Sequence, residues 1–180
     1  VAPEVEALAS ADILALGFIK NSDERIELVG NSRLISALEK YFEITLVDEI
    51  AFFQPSGKAG EIFEIPVLHK DSSIDRLYVV GVGDASFSAL RAAGAAVGRK
   101  VRGKAIEVIS LIADSRLEIR AHGVSILLGA YTWNLKTGKP AEIATIALAT
   151  KDAAAVAEAG VIARALYTAR DLIHTPSNIK

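Results

Sequence analysis

Short apolar runs alternate with stretches of helical periodicity along almost the whole chain, and few folds satisfy that alternation. Arg76 to Gly81 is continuously apolar after its first residue, as a strand is when both of its faces are covered. Ala105 to Ala113 and Glu142 to Ala149 read the same way. Ala11 to Phe18 is expected to be a first strand and Ile44 to Val47 the next. Ile62 to Leu68 makes a further strand, which Pro66, lacking an N–H, pushes toward a sheet edge or toward its own end. A turn-rich loop, Gln54 to Gly60, precedes it.

Between these runs the period changes to that of helices. Asn31 can cap a short helix through Leu34, Ile35, Leu38 and Tyr41. A second helix carries Leu90, Ala93, Val97 and Val101 toward the core and ends near Gly103, and a third covers Leu117 to Trp133. Asp152 offers an N-cap to a last helix of about twenty residues, with Val156, Ala159, Ala163, Leu166, Tyr167 and Arg170 along one side. Thr175 marks its end, because Pro176 disfavours helical geometry in the residue before it. The expected fold class is α/β, a three-layer arrangement in which helices flank a mixed, mostly parallel sheet.

At 180 residues and 51% hydrophobic side chains, the chain can bury a single core. Twenty basic side chains against 22 acidic ones leave a net charge of −2, which provides no global field for nucleic acid or an anionic membrane. Without cysteine there is no disulfide, thiolate metal site or thiol nucleophile, in keeping with a reducing compartment. Val1-Ala2-Pro3-Glu4 has neither the basic flank nor the apolar stretch of a signal peptide and is expected to be a trimmed start. Apolar runs such as Ile143 to Ala149 fall far short of the roughly 20 residues that span a bilayer. A soluble, cytoplasmic protein is the expectation.

The strongest local constellation is Val79-Val80-Gly81-Val82-Gly83-Asp84-Ala85-Ser86, a strand end passing through two glycines into a capped helix. Backbone N–H groups and the helix dipole at such a turn favour anions. Ser86 stands where a third glycine would complete a dinucleotide fingerprint, however, and no Gly-Lys-Ser/Thr follows. The competing reading is a tight turn in which Asp84 caps the helix. Arg91, Arg99, Lys100, Arg102 and Lys104 follow without an intervening acid, which is either a nucleic-acid footprint or a set of cations complementing the negative helix end. His69, His122 and His174 are scattered, Asp171 with His174 supplies too few ligands for a metal, and no Gly-x-Ser-x-Gly elbow exposes a serine.

Three stretches carry a family likeness. Tyr78 to Asp84 followed by Ala89 to Ala96, His122 to Lys136, and Ala169-Arg170-Asp171-Leu172-Ile173-His174-Thr175-Pro176-Ser177-Asn178 together resemble the leucyl aminopeptidase (M17) family of two-metal exopeptidases. Trp133 and Leu135 depart from the family's usual Phe and Tyr but stay apolar. The resemblance implies that residues 1–150 form a macro-domain-like N-terminal α/β domain. Residues 151–180 would then be a connecting helix and the start of a linker to a C-terminal catalytic domain.

For the parent enzyme the same resemblance implies removal of N-terminal residues, often leucine, from peptides. It also implies two divalent ions, manganese or zinc, bound by a lysine, three aspartates and a glutamate, and a hexamer of two stacked trimers. Those ligands all lie beyond the Thr175-Pro176-Ser177-Asn178 joint. No catalytic, cofactor-binding or metal-binding residue is therefore assigned to this sequence, whose expected role is to support assembly and active-site access. Two alternatives remain: a nucleotide or ADP-ribose over Gly81-Val82-Gly83, and DNA on the basic helix. Leu166, Leu172 and Ile173 are the side chains expected to face the catalytic domain.

Overall fold

The computed structural model describes residues 5, 7–70, 72–133 and 140–175, and its sheet is organised around β1 (Ile13–Lys20). On one side β1 runs parallel to β4 (Arg76–Gly81), which pairs antiparallel with the edge strand β3 (Ile62–Pro66). On its other side β1 is first parallel to β5 (Glu107–Ser110), over Ile13 to Ala15. It then pairs antiparallel with β2 (Ile26–Val29), over Gly17 to Lys20. Beyond β5 lies β6 (Thr145–Leu148), again parallel. The result is an open, mixed and mostly parallel sheet with the order β3-β4-β1-β5-β6, and β2 set against the far end of β1.

Alternate strand residues point to opposite faces, which divides the core in two. Leu14, Leu16 and Phe18 of β1, with Leu77 and Val79 of β4, meet α1 (Ser32–Phe42) and α2 (Leu46–Phe52) through Ile35, Leu38, Phe42, Leu46 and Ile50. Ile13 and Ala15, with Tyr78 and Val80, meet α3 (Phe87–Val101) and α4 (Arg116–Ala130) through Leu90, Ala93, Val97, Val101 and Ile126. The three layers expected of the fold class follow directly. A last helix, α5 (Ala153–His174), buries Ala155, Ala159 and Ala163, and a smaller core of Ala113, Ile119 and Ala155 joins it to α4.

Several expectations hold at the level of single hydrogen bonds. Asn31 caps α1 by accepting the Leu34 N–H at 3.1 Å, and Asp152 caps α5 by accepting that of Ala155 at 2.9 Å. Pro66 is the last residue of an edge strand. Others are corrected. Ile44 to Val47 is not a strand: Glu43 adopts a left-handed φ of 56°, and the Glu39 carboxylate receives the Leu46 N–H at 2.9 Å and starts α2. Leu46 and Ile50 then bury together one turn apart. β2 went unforeseen, because its four residues carry little pattern and only β1 gives it a partner.

Boundaries moved too. β1 begins two residues later than expected, β5 is shorter than Ala105 to Ala113, and α4 ends at Ala130. β6 is only partly buried, as befits an edge. The cap of α3 is Ser86, whose hydroxyl accepts the Ala89 N–H at 3.3 Å, whereas Asp84 accepts the Ser86 N–H at 3.1 Å. The joint residues Pro176, Ser177 and Asn178, and Asn134, Leu135 and Lys136 of the second motif, lie outside the described residues.

Candidate functional site

The C-terminal end of α4 is held in place from below by glycines. A Cβ on Gly98 would lie 2.1 Å from the Ile126 carbonyl oxygen, one on Gly94 2.6 Å from that of His122, and one on Gly129 2.7 Å from that of Ala95. The two helix backbones touch, which only hydrogen side chains allow. Arg102, just past α3, donates two hydrogen bonds to the Gly129 carbonyl at 2.9 and 2.7 Å and so closes the last turn of α4. At the other end, Ser115 and Glu118 form a capping box.

On this fixed base α4 meets the second half of α5 in a polar and aromatic cluster. Tyr131 donates its hydroxyl to Asp171 Oδ1 at 2.5 Å, and Tyr167 donates to the Leu127 carbonyl. The two tyrosine rings are 5.0 Å apart, and the Arg170 guanidinium sits 5.4 Å from the centre of the Tyr131 ring. The Asp171 hydrogen bond raises the Tyr131 pKa, and burial raises that of Tyr167, so both phenols keep their protons. Trp133 stands 5.7 Å from the ring of His174. Thr175 closes the helix, its N–H and hydroxyl both donating to the Asp171 carbonyl at 2.8 and 2.6 Å.

Beside this cluster opens a cleft of about 540 Å³, walled by Leu127, Tyr131, Trp133, Ile143, Tyr167 and Asp171. Ile143 in its wall is 77% exposed, and on the same helix as Tyr167 and Asp171, outside the cleft lining, Leu172 is 72% exposed, Ile173 80% and Leu166 41%. Leu166, Leu172 and Ile173, the residues expected to face another domain, are exposed here, as are Phe52 and Leu68 elsewhere on the surface.

The Gly81-Val82-Gly83 turn has a different occupant from the one a ligand reading supposes. Gly81 exchanges backbone hydrogen bonds with the preceding loop, its N–H to the Glu61 carbonyl at 2.7 Å and its carbonyl to the Gly60 N–H at 2.8 Å. A Cβ on Gly81 would lie 2.3 Å from the Lys58 carbonyl oxygen, and one on Gly83 3.3 Å from Ala59 Cβ. The loop fills the close approach that the glycines permit. The basic stripe is likewise partly consumed, with Lys100 on Glu64 at 2.5 Å and Arg102 on α4, while Arg91, Arg99 and Lys104 face solvent.

The three histidines do not converge. His69 stacks on Tyr41 with ring centres 4.0 Å apart, His174 ends α5, and His122 is fully buried between Ser110 and the Leu90 carbonyl. Asp171 serves Tyr131 instead of pairing with His174. Among the described residues no three His, Asp or Glu side chains stand close enough to hold a metal ion, and no helix is long and apolar enough to cross a membrane. The Ser110–His122 pair and the Tyr131–Asp171 bond escaped the sequence reading. Their partners are 12 and 40 residues apart, and no local signal links them.

Residues 30–139 match the model of the cytosol aminopeptidase family, N-terminal domain. The fold is similar to that of the bottromycin maturation enzyme BotP, with a TM-score of 0.66 and 24% identity over 93% of this chain and 33% of that one. A structure of BotP in complex with Mn gives 0.63 and 25% over 93% and 32%. The cytosol aminopeptidase from Coxiella burnetii gives 0.56 and 17% over 91% and 31%. The chain spans about a third of the length of these solved structures. No curated protein matches it significantly.

Proposed function

Because this chain belongs to the cytosol aminopeptidase family through the family's N-terminal domain, we propose that it is the non-catalytic N-terminal part of a metal-dependent aminopeptidase. The parent removes N-terminal residues from peptides in the cytoplasm. The face made by the end of α4, β6 and the second half of α5 seats the catalytic domain and helps to assemble the homo-oligomer. The observation that carries this reading is the exposure of Leu172 and Ile173 on the last turn of α5, directly after the cleft-lining Asp171 in the chain.

Residues 1–150 are the α/β domain in this reading, and residues 151–180 the connecting helix and linker. The short aromatic and polar contacts between Tyr131, Tyr167, Arg170 and Asp171 make that helix a rigid lever, so the direction in which it points is set by the domain. In this reading the two divalent ions belong to the rest of the parent, and no step of hydrolysis is assigned to this chain. The BotP structure with Mn supports manganese as one of the metals to try.

A comparison of leucine p-nitroanilide hydrolysis with added manganese tests the proposal. The 180-residue chain is expected to be inactive and the polypeptide that continues through its natural stop codon active. Activity in the 180 residues alone overturns the reading. So does an active extended protein whose rate is unchanged when Leu172 and Ile173 are both replaced by serine.

A further inference from the structure

A second cleft, of about 380 Å³, lies at the opposite end of the sheet from the Gly81–Gly83 turn, where β1, β4 and the approach to β5 begin. Tyr78 forms part of its wall. That side chain is fully buried, and its hydroxyl has no hydrogen-bond partner among the described residues. A buried hydroxyl without a partner has lost its hydration for nothing in return, and native interiors seldom leave one so. Burial, and next the nearby Glu64 carboxylate, pushes its pKa up, so the phenol stays protonated and is a donor.

Charges of both signs surround that donor. Asp75 and Arg76 largely satisfy each other through two hydrogen bonds of 2.9 and 3.0 Å. That leaves Asp12 and Lys104. One oxygen of Asp12 receives the Glu107 N–H at 2.7 Å, and the other has no hydrogen bond among the described residues. Lys104 is exposed at the rim and has no salt bridge among the described residues, although its charge reaches Glu64. Ile13 and Ile106 add apolar wall to the same cleft.

We propose that this cleft binds a small zwitterion of the aliphatic α-amino acid class. The ammonium sits on Asp12, the carboxylate lies between Lys104 and the Tyr78 hydroxyl, and the side chain rests on Ile13 and Ile106. A simple anion would meet the Asp12 carboxylate, and a simple cation would leave Tyr78 unpaired and Lys104 repelling it; a zwitterion satisfies all three. The volume suits a small metabolite, being near the lower limit of small-molecule sites. This site goes beyond the family reading and does not depend on the catalytic domain.

Titration calorimetry of the 180-residue chain with L-valine, isovalerate and isobutylamine tests it. The two last compounds each lack one of valine's charges. Saturable binding of L-valine, at least tenfold tighter than either half-molecule, is expected. Lys104→Ala, a change at an exposed position that leaves the fold intact, is expected to weaken binding fivefold or more, Tyr78→Phe to do the same, and Arg99→Ala to have no effect. Isovalerate binding as well as valine would overturn the proposal in favour of a plain anion site. No saturable heat with any of the three, or valine binding untouched by Lys104→Ala, would overturn it in favour of a cleft that holds only water.

Discussion

Ser110 on β5 and His122 on α4 are joined by a 2.9 Å hydrogen bond in the interior, and the other ring nitrogen of His122 lies 3.2 Å from the Leu90 carbonyl at the start of α3. A carbonyl only accepts, so Nδ1 carries the proton and Nε2 accepts from the serine hydroxyl. Three elements are tied by one neutral imidazole. The pair has the chemistry of a nucleophile and its base, but both residues are sealed from solvent and its role is structural.

That imidazole makes stability depend on pH. Burial, opposed only weakly by the bond to Leu90, lowers its pKa from the ordinary 6.5 to about 4. Between those values the unfolded chain binds a proton that the folded chain refuses, so stability rises with pH and is lost as pH falls through the window. Urea denaturation at pH 7 and pH 4.5 is expected to show a loss of up to about 3 kcal/mol from this group. In NMR spectra the His122 ring resonances are expected to stay constant from pH 7.5 to 5. A ring that titrates near 6.5 would remove the argument.

The same substitution is expected to have opposite signs at two helical glycines. Gly98→Ala puts a methyl group 2.1 Å from the Ile126 carbonyl, forces α3 and α4 apart, and should cost about 3 kcal/mol. Gly160→Ala in α5 meets nothing within 4 Å and should stabilise by about 0.5–1 kcal/mol, since alanine is the better helix former. Thermal denaturation followed by circular dichroism reads both, and a stabilising Gly98→Ala would contradict the backbone contact.

Replacing Leu172 and Ile173 by serine is expected to leave the stability of the 180-residue chain within about 0.5 kcal/mol, because neither side chain is buried here. In the extended polypeptide the same double change is expected to lower activity and loosen assembly. Sedimentation velocity and the p-nitroanilide rate, measured on the same preparation, check both halves.

Gly81→Ala tests what the Gly-x-Gly turn is for. Its methyl group would strike the Lys58 carbonyl at 2.3 Å, so a loss of about 2–3 kcal/mol and faster amide exchange across residues 57–61 are expected without any ligand. An unchanged stability together with a lost affinity for a nucleotide would return the turn to ligand binding.

Tyr167→Phe removes the donor to the Leu127 carbonyl and leaves that half-buried acceptor unpaired; a cost of about 1 kcal/mol is expected from chemical denaturation. The α5 amides after Tyr167 should exchange faster in the variant. Unchanged exchange would mean that the buried Ala155, Ala159 and Ala163 and the Tyr131–Asp171 bond hold the helix without it.

Much of this was legible in the sequence. Asn31 and Asp152 announce caps, Leu90, Ala93, Val97 and Val101 announce a buried helix face, and Pro66 announces a strand that ends at an edge. All of these are short-range facts: a side chain reaching its own backbone, or a period of 3.6 or 2 residues, needs no knowledge of the rest of the chain. Ile44 to Val47 fails as a strand because so short a run, three apolar residues and Thr45, fits either period. Glu39, seven positions before Leu46, decided for helix by capping it.

Sequence by itself determined the alternation of elements, the two-faced sheet and the family likeness carried by Tyr78 to Ala96 and His122 to Lys136, both inside the matched residues 30–139. Only the tertiary structure decided that Gly81 admits a loop, that His122 pairs with Ser110, that Arg102 closes α4, and that Leu172 and Ile173 remain uncovered. Each of these depends on atoms far apart in the chain arriving within a few ångströms, and the packing of backbones fixes such distances where local preference cannot.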